Sequence, residues 1–419
     1  MNAPSTTSEA EMPSLASTSP SAVAAPRKQL RRFPFAPIGG WRWVGSQRES
    51  FREESSPPGK TKPVLSLARP RRMKRCARGL LLWGLLWYAV VQLFPLLLMD
   101  RWQLIASANE ARKWPALRRL AAKDGDRPLL LMLGGSRACW GFRAGDLDGM
   151  PDSDGRPLRV YNFGIPATGP IYSLFYLRDL LAEGIRPRFV LIEYVPPLMN
   201  EGQRGALSEE GMTGFAWLSA HRMRQWLPYL RRPKRRIHTW LEARLAPCYA
   251  FRRQLQLELQ FLVEGKSFPM HEPVDAWGWH LPALLPLPSY ELLYRRNMAR
   301  IGYPPGLRRF RLGKIQTKAL RDLLELCRRE KLPAALVVMP ESSEFRSWYS
   351  PQARTAIRGL LDEVSRTYGV EVVDANRWLA DWDFEDGHHA LPHGAKVFTS
   401  RLRAQLPRLL ARSHAVNSD

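Results

Sequence analysis

Ser136 and the distant pair Asp386 and His389 have side chains of the types that together make an activated nucleophile. A serine hydroxyl is a weak nucleophile until a base takes its proton, and the base works best when a third group orients it. Asp386 precedes His389 by three residues, so one turn can supply both the orienting carboxylate and the basic imidazole. Ser136 follows Gly134-Gly135 at the end of the apolar run Pro128 to Leu133, where a strand hands over to a helix and leaves the hydroxyl and its own N–H exposed. The chemistry this implies is attack on an acyl carbonyl, with backbone N–H groups receiving the oxyanion. The order Ser, Asp, His also matches α/β-hydrolases. That fold expects Gly-x-Ser-x-Gly, however, and Ala138 stands where the second glycine belongs; its Asp and His also arrive on separate loops.

Other roles compete for the same residues. Ser136 after two glycines has the signature of a helix N-cap. His389 and His393 are four apart and with Asp386 form a metal-ligand set, but Pro392 between them argues against one helix presenting both, so no metal is expected. His388 reads as solvent-facing or as a support for the loop, and Cys139 as a buried structural cysteine. The chain shows no cofactor motif, and its four cysteines contain no CxxC pair.

The elements that must position these residues alternate. Strands are expected at Pro128 to Leu133, Leu158 to Asn162, Phe189 to Val195, Ala334 to Met339 and Val370 to Val373. Between them lie helical patterns: Gly169 to Gly184, and a segment with Ala319, Leu320, Leu323, Leu324 and Cys327 on one face. A last helix starts after Pro392 and ends before Pro407. Strands separated by helices imply a parallel sheet covered on both faces, with ligands bound outside the carboxyl ends of the strands. Residues 201–314 break the rhythm and read as a helical insertion, a possible lid. Its stretch His221 to His238 holds seven Lys/Arg and no acid, which suits an anionic membrane surface or a solvated helix covering the sheet.

With 63 Lys+Arg against 39 Asp+Glu the chain carries a formal +24, and 45% of its 419 residues are hydrophobic. That apolar share excludes wholesale disorder, collagen and a disulfide scaffold. Residues 1–78 read as a disordered basic cytoplasmic tail rich in Ser, Thr and Pro. Gly79 to Met99 has no charge and, as a helix, matches the hydrocarbon thickness of a bilayer, so a transmembrane helix is expected there. Arg69, Arg71, Arg72, Lys74, Arg75 and Arg78 precede it, which places the N-terminus in the cytoplasm and residues 100–419 outside. A cleaved signal peptide starting at Met73 is the rival, with Ala106-Ser107-Ala108 as its cleavage site. Residues 100–127 read as a juxtamembrane helix and linker, 128–410 as the sheet domain and 411–419 as a tail. No nucleic-acid motif accompanies the basic excess, so nucleic acid is not an expected partner.

With these residues in hand, the chain resembles the SGNH (GDSL-like) hydrolase superfamily over about residues 125–200 and 315–410. Gly135-Ser136 looks like its first block, Asn162-Phe163-Gly164 like its second, and Asp386 and His389, followed by Leu391-Pro392-His393-Gly394-Ala395, like its last. The resemblance implies a flavodoxin-like three-layer α/β fold with Ser136 as nucleophile and the N–H groups of Ser136 and Gly164 in the oxyanion hole. The third block's Gly-x-Asn-Asp is absent; Asn200, after Glu193-Tyr194-Val195-Pro196-Pro197-Leu198-Met199, is the substitute donor. Anchored relatives of this kind act in envelope acyl transfer, such as alginate O-acetylation and D-alanylation of lipoteichoic acid. The resemblance therefore implies an inner-membrane, single-pass esterase or O-acyltransferase with its domain outside. Its partners would be an acylated small molecule or glycan, membrane lipid around Gly79 to Met99, and a membrane acyl-donor protein. A silent module that binds envelope polysaccharide is the alternative reading.

Overall fold

The structure, a computed structural model, describes residues 71–101, 108–123, 127–201, 208–264, 274–280 and 287–417. Five short apolar runs form one parallel sheet: β1 (Leu129–Gly134), β2 (Arg159–Gly164), β3 (Phe189–Tyr194), β4 (Ala334–Val338) and β5 (Glu371–Asp374), in the order β2-β1-β3-β4-β5. This is the order of flavodoxin-like doubly wound sheets, with a crevice beside β1 where the winding reverses. The register aligns Gly134 with Gly164 at the carboxyl ends of β1 and β2, so whatever follows each strand emerges on the same rim.

Both faces of the sheet are buried, as near-continuous apolar strands require. Leu129, Leu131 and Leu133 of β1 point into one core; Leu130 and Met132 point into the other. The first core is closed by α4 (Pro170–Ala182), α6 (Lys314–Arg329) and α7 (Pro351–Tyr368). On α6 the residues Ala319, Leu320, Leu323, Leu324 and Cys327 are buried, one stripe at helical spacing. The second core is closed by the six-residue α3 (Ser136–Gly141) and by α8 (Pro392–Asn417), through Ala138, Phe398, Leu402 and Leu406. Within the insertion, α5 (Ser289–Gly302) packs beside the loop that carries His389. The basic stretch after His221 turns Trp226 and Tyr229 inward against Phe175, so it covers helix α4.

Several boundaries differ from those expected. Residues 1–70 lie outside the described residues, and from Arg71 the chain is helical. The expected transmembrane helix over Gly79–Met99 is corrected: among the described residues no helix is long and apolar enough to cross a membrane. That run sits inside a longer helix, α1 (Arg71–Arg101), continuous with the arginines and lysine of its first turns. Two of its polar side chains are engaged by a neighbouring turn. Tyr88 donates to the Leu245 carbonyl at 3.0 Å, and the Cys248 N–H donates to Gln92 Oε1 at 3.2 Å. The stretch read as a juxtamembrane helix and linker holds a helix. Helix α2 (Ala108–Lys123) belongs to the domain, with Lys113 and Leu117 fully buried. Finally, α8 does not stop before Pro407 but runs through it to Asn417, over most of the expected tail.

Candidate active site

The β1–α3 junction is built so that Ser136 is the first residue of a helix. Any larger residue is excluded from the two positions before it. A Cβ on Gly135 would lie 2.6 Å from the Thr168 carbonyl oxygen, and one on Gly134 would lie 2.8 Å from the Ala138 Cβ. The free N–H groups at the start of α3 are met from below by Glu193 of β3. Its Oε2 accepts from Gly135 N–H at 2.7 Å and Ala138 N–H at 3.2 Å, while among the described residues Oε1 is buried without a hydrogen bond. A carboxylate at a helix N-terminus is electrostatically favourable. Burial nevertheless raises the Glu193 pKa, although Arg137 and the two N–H groups act against the shift.

The second part of the site is the turn after β5. Asp386 Oδ1 accepts from the N–H groups of His388 and His389 at 3.1 and 2.9 Å, and Gly387 at φ +95° supplies a backbone that only glycine adopts freely. A bridge between Phe384 and Ala390 closes the loop. The turn brings together the three residues picked from the sequence. His389 Nδ1 lies 2.7 Å from Asp386 Oδ2, and His389 Nε2 lies 2.7 Å from Ser136 Oγ. With Nδ1 carrying the proton toward the carboxylate, Nε2 is left to accept from the serine. Burial disfavours the imidazolium, but the charge and hydrogen bond of Asp386 outweigh it and hold the His389 pKa above its ordinary value. Burial alone would raise the Asp386 pKa; the two facing imidazoles instead hold the carboxyl far below its usual range, so it stays ionised. Trp140 stands edge-on to the His389 ring at 4.8 Å.

Two of the three expected oxyanion donors, Gly164 and Asn200, are engaged elsewhere. Gly164 N–H donates to Asn162 Oδ1 at 2.8 Å, so it is already engaged. Gly164 is a glycine for packing reasons: a Cβ there would lie 2.6 Å from the Cys139 nitrogen. Its carbonyl and that of Asn162 accept from the buried Lys113 ammonium. Asn200 is buried in a structural role, donating to the Gly306 carbonyl at 2.8 Å and accepting from Arg311 N–H at 3.0 Å. His388 is not solvent-facing. It is buried, bonded to the Tyr303 hydroxyl at 3.0 Å, and burial pushes its pKa well below the ordinary imidazole value. Asp386, His388 and His389 each offer a donor atom within 4.8 Å of the others, but both nitrogens of His389 are occupied by Ser136 and Asp386. His393 is exposed and faces Asp383 instead. Cys139 is buried.

Sequence reasoning missed two groups at this rim. Glu193 is a lone acid within the apolar run of β3, and that isolation was its signal. Ala167 follows β2 and adopts φ +69°, a left-handed conformation that L-residues seldom take. Its loop is held against β1 by Thr168, whose hydroxyl donates to the Gly134 carbonyl at 2.9 Å. Among the described residues, no hydrogen bond engages the N–H of Ser136 or of Ala167.

The family described as a protein of unknown function (DUF1574) matches residues 102–215, which includes Ser136 but neither Asp386 nor His389. No curated protein matches the sequence. A solved structure described as a gut microbial diltiazem-metabolizing enzyme is similar at a TM-score of 0.31 and 10% identity. The likeness covers 67% of this chain and 47% of that one, so this chain spans about half the length of its structural neighbour. A similarity that distant assigns no function, and the chemistry rests on the geometry alone.

Proposed function

We propose that the protein is a serine-dependent esterase or O-acyltransferase. The observation that carries this reading is the unbroken chain from Ser136 Oγ through His389 to Asp386, with both links at 2.7 Å. Ser136 Oγ attacks the acyl carbonyl as His389 Nε2 takes its proton; Asp386 holds the imidazole tautomer and offsets the charge that forms. The oxyanion is received by the N–H groups of Ser136 and Ala167. The imidazolium then returns its proton to the leaving oxygen, and the acyl-serine is resolved by water or by a second hydroxyl. Hydrolase and transferase share these steps and differ only in the acceptor. The substrate class that fits is an acyl ester of a small molecule or glycan.

A fluorophosphonate probe tests the nucleophile directly, because it phosphonylates only an activated serine. Wild type should be labelled, Ser136→Ala should not, and His389→Ala should label roughly 10²–10⁴-fold more slowly. Labelling of neither wild type nor variant would favour a catalytically silent binding module, a reading supported by the absence of a third-block donor at Asn200. Labelling that survives in Ser136→Ala would remove Ser136 from the mechanism.

A further inference from the structure

The loop that carries His389 offers it a second carboxylate. Glu385 Oε1 lies 3.8 Å from His389 Nδ1, beyond the Asp386 oxygen at 2.7 Å. Glu385 is largely buried, and the same Oε1 accepts a hydrogen bond from Arg295 at 2.9 Å. Arg295 belongs to α5, in the insertion, and is tied along that helix to Glu291 at 2.9 Å. Neighbouring contacts seat α5 on the same loop: Arg296 donates to the Phe384 carbonyl, and Tyr303 meets His388. One carboxylate oxygen is therefore shared between a cation of the insertion and the basic imidazole of the site. Two unit charges about 4 Å apart at a protein surface interact by several times thermal energy, enough to move a titration.

We propose that Glu385 and Arg295 are positioning residues through which the inserted helix α5 sets the basicity of His389. The inference rests on His389 acting as the base for Ser136. With Arg295 seated, much of the Glu385 charge is neutralised and the imidazole feels mainly Asp386. With Arg295 withdrawn, the Glu385 charge, held down by burial and by Asp386, acts on Nδ1 without a competing cation, the imidazolium is favoured, and His389 is a poorer acceptor near neutral pH. Seating of the insertion would then switch the nucleophile on without touching substrate. The other groups that act on His389 lie outside α5: Asp386 in its own turn, the His388 ring at 3.9 Å, Arg137 of α3 and Glu193 of β3. Burial, the Asp386 carboxylate and the Glu385 charge act in that order on its titration.

Two readouts on the full chain test this. The first is the titration midpoint of the His389 imidazole, followed by NMR in histidine-labelled protein and assigned by its loss in His389→Asn. The second is the pH profile of fluorophosphonate labelling. Glu385→Gln should lower the midpoint by about one pH unit, and Arg295→Ala should raise it by about half a unit, with Arg295→Lys close to wild type. In the Glu385→Gln background, Arg295→Ala should move the midpoint little. A midpoint left in place by Glu385→Gln, a shift of both single variants in one direction, or an Arg295 effect that persists without the carboxylate would overturn the inference. Absence of labelling in every form, with the NMR shifts as expected, would instead sink the esterase reading and leave the coupling intact.

Discussion

A left-handed alanine is costly, since an L-side chain in that region is disfavoured by about 1–2 kcal/mol. Ala167, at φ +69°, is therefore held by its surroundings, and the Ile165 and Gly134 carbonyls that receive the Thr168 hydroxyl are the visible clamp. Glycine would relieve the strain but adds about 0.4–1 kcal/mol of unfolded-chain entropy. Ala167→Gly should thus be between neutral and about 1.6 kcal/mol more stable in urea melts, with labelling of Ser136 retained. Ala167→Val should be less stable than wild type and label at least tenfold more slowly, because a β-branched residue at this φ must drag the N–H away. Ser136, Asp386 and His389 were legible in the sequence because their chemistry and local spacing advertise them. The proposed Ala167 donor was not: a backbone N–H leaves no residue-type signature, and Gly164 drew attention although its glycine exists to let α3 approach β2.

At the scale of elements, the caps decide how firmly the rim is held. Helix α4 starts on the same rim, and its first amides are received by Glu209, from the one-turn helix Glu209–Met212. Oε1 accepts from Gly169 N–H at 2.7 Å and Tyr172 N–H at 3.1 Å; Oε2 accepts from Ile171 N–H at 3.3 Å. Burial pushes the Glu209 pKa from 4.5 up to about 7, against the pull of those three donors. The folded chain therefore keeps this proton in a window where the unfolded chain has lost it. The stability that Glu209 contributes is full below pH ~4.5 and is lost as pH rises through ~7. Wild type should accordingly lose melting temperature between pH 5 and 7.5 by a component that Glu209→Gln lacks; parallel curves for the two proteins would refute the assignment. This cap was invisible in the sequence because Glu209 reaches a helix some forty residues earlier. The strands, by contrast, could be read directly: their apolar runs are short and bounded by Gly, Pro and charge. Helix α8 was cut short at Pro407 because proline disfavours a helix interior, yet Leu402, Leu406, Leu409 and Leu410 are buried on both sides of it.

At the scale of the molecule, the insertion supports the site from outside. The segment 274–280 is clamped to β2 and α3: Asn162 N–H donates to the Trp277 carbonyl at 2.8 Å, and Trp279 Nε1 donates to the Trp140 carbonyl at 2.7 Å. Gly278 makes the clamp possible, since its φ is +85° and a Cβ would fall 2.3 Å from the Asn162 oxygen. Gly278→Ala should therefore lift the segment and release Trp140, which edges the imidazole. We expect labelling of Ser136 to fall by about tenfold or more with the far-UV circular dichroism unchanged. Equal labelling would show that the segment only covers the surface. The insertion was recognisable in the sequence as a break in rhythm, but not the contacts of this clamp, which join residues more than a hundred positions apart. The apolar run in α1 misled for a related reason: the charged turns before it were read as a membrane flank, and the turn that binds Tyr88 and Gln92 lies more than 150 positions away.

The sheet also has a seam. Everything up to residue 201 contributes β1 to β3 and the serine; everything from residue 287 contributes β4, β5 and the imidazole, and the halves are joined by the ladder from Val190 with Ala334 to Tyr194 with Val338. A protease nick between the halves would leave that zipper and both adjoining cores closed. Covalent continuity and the integrity of the constellation are thus separable, and a severed polypeptide would persist as two interlocked fragments that still hold serine and histidine side by side.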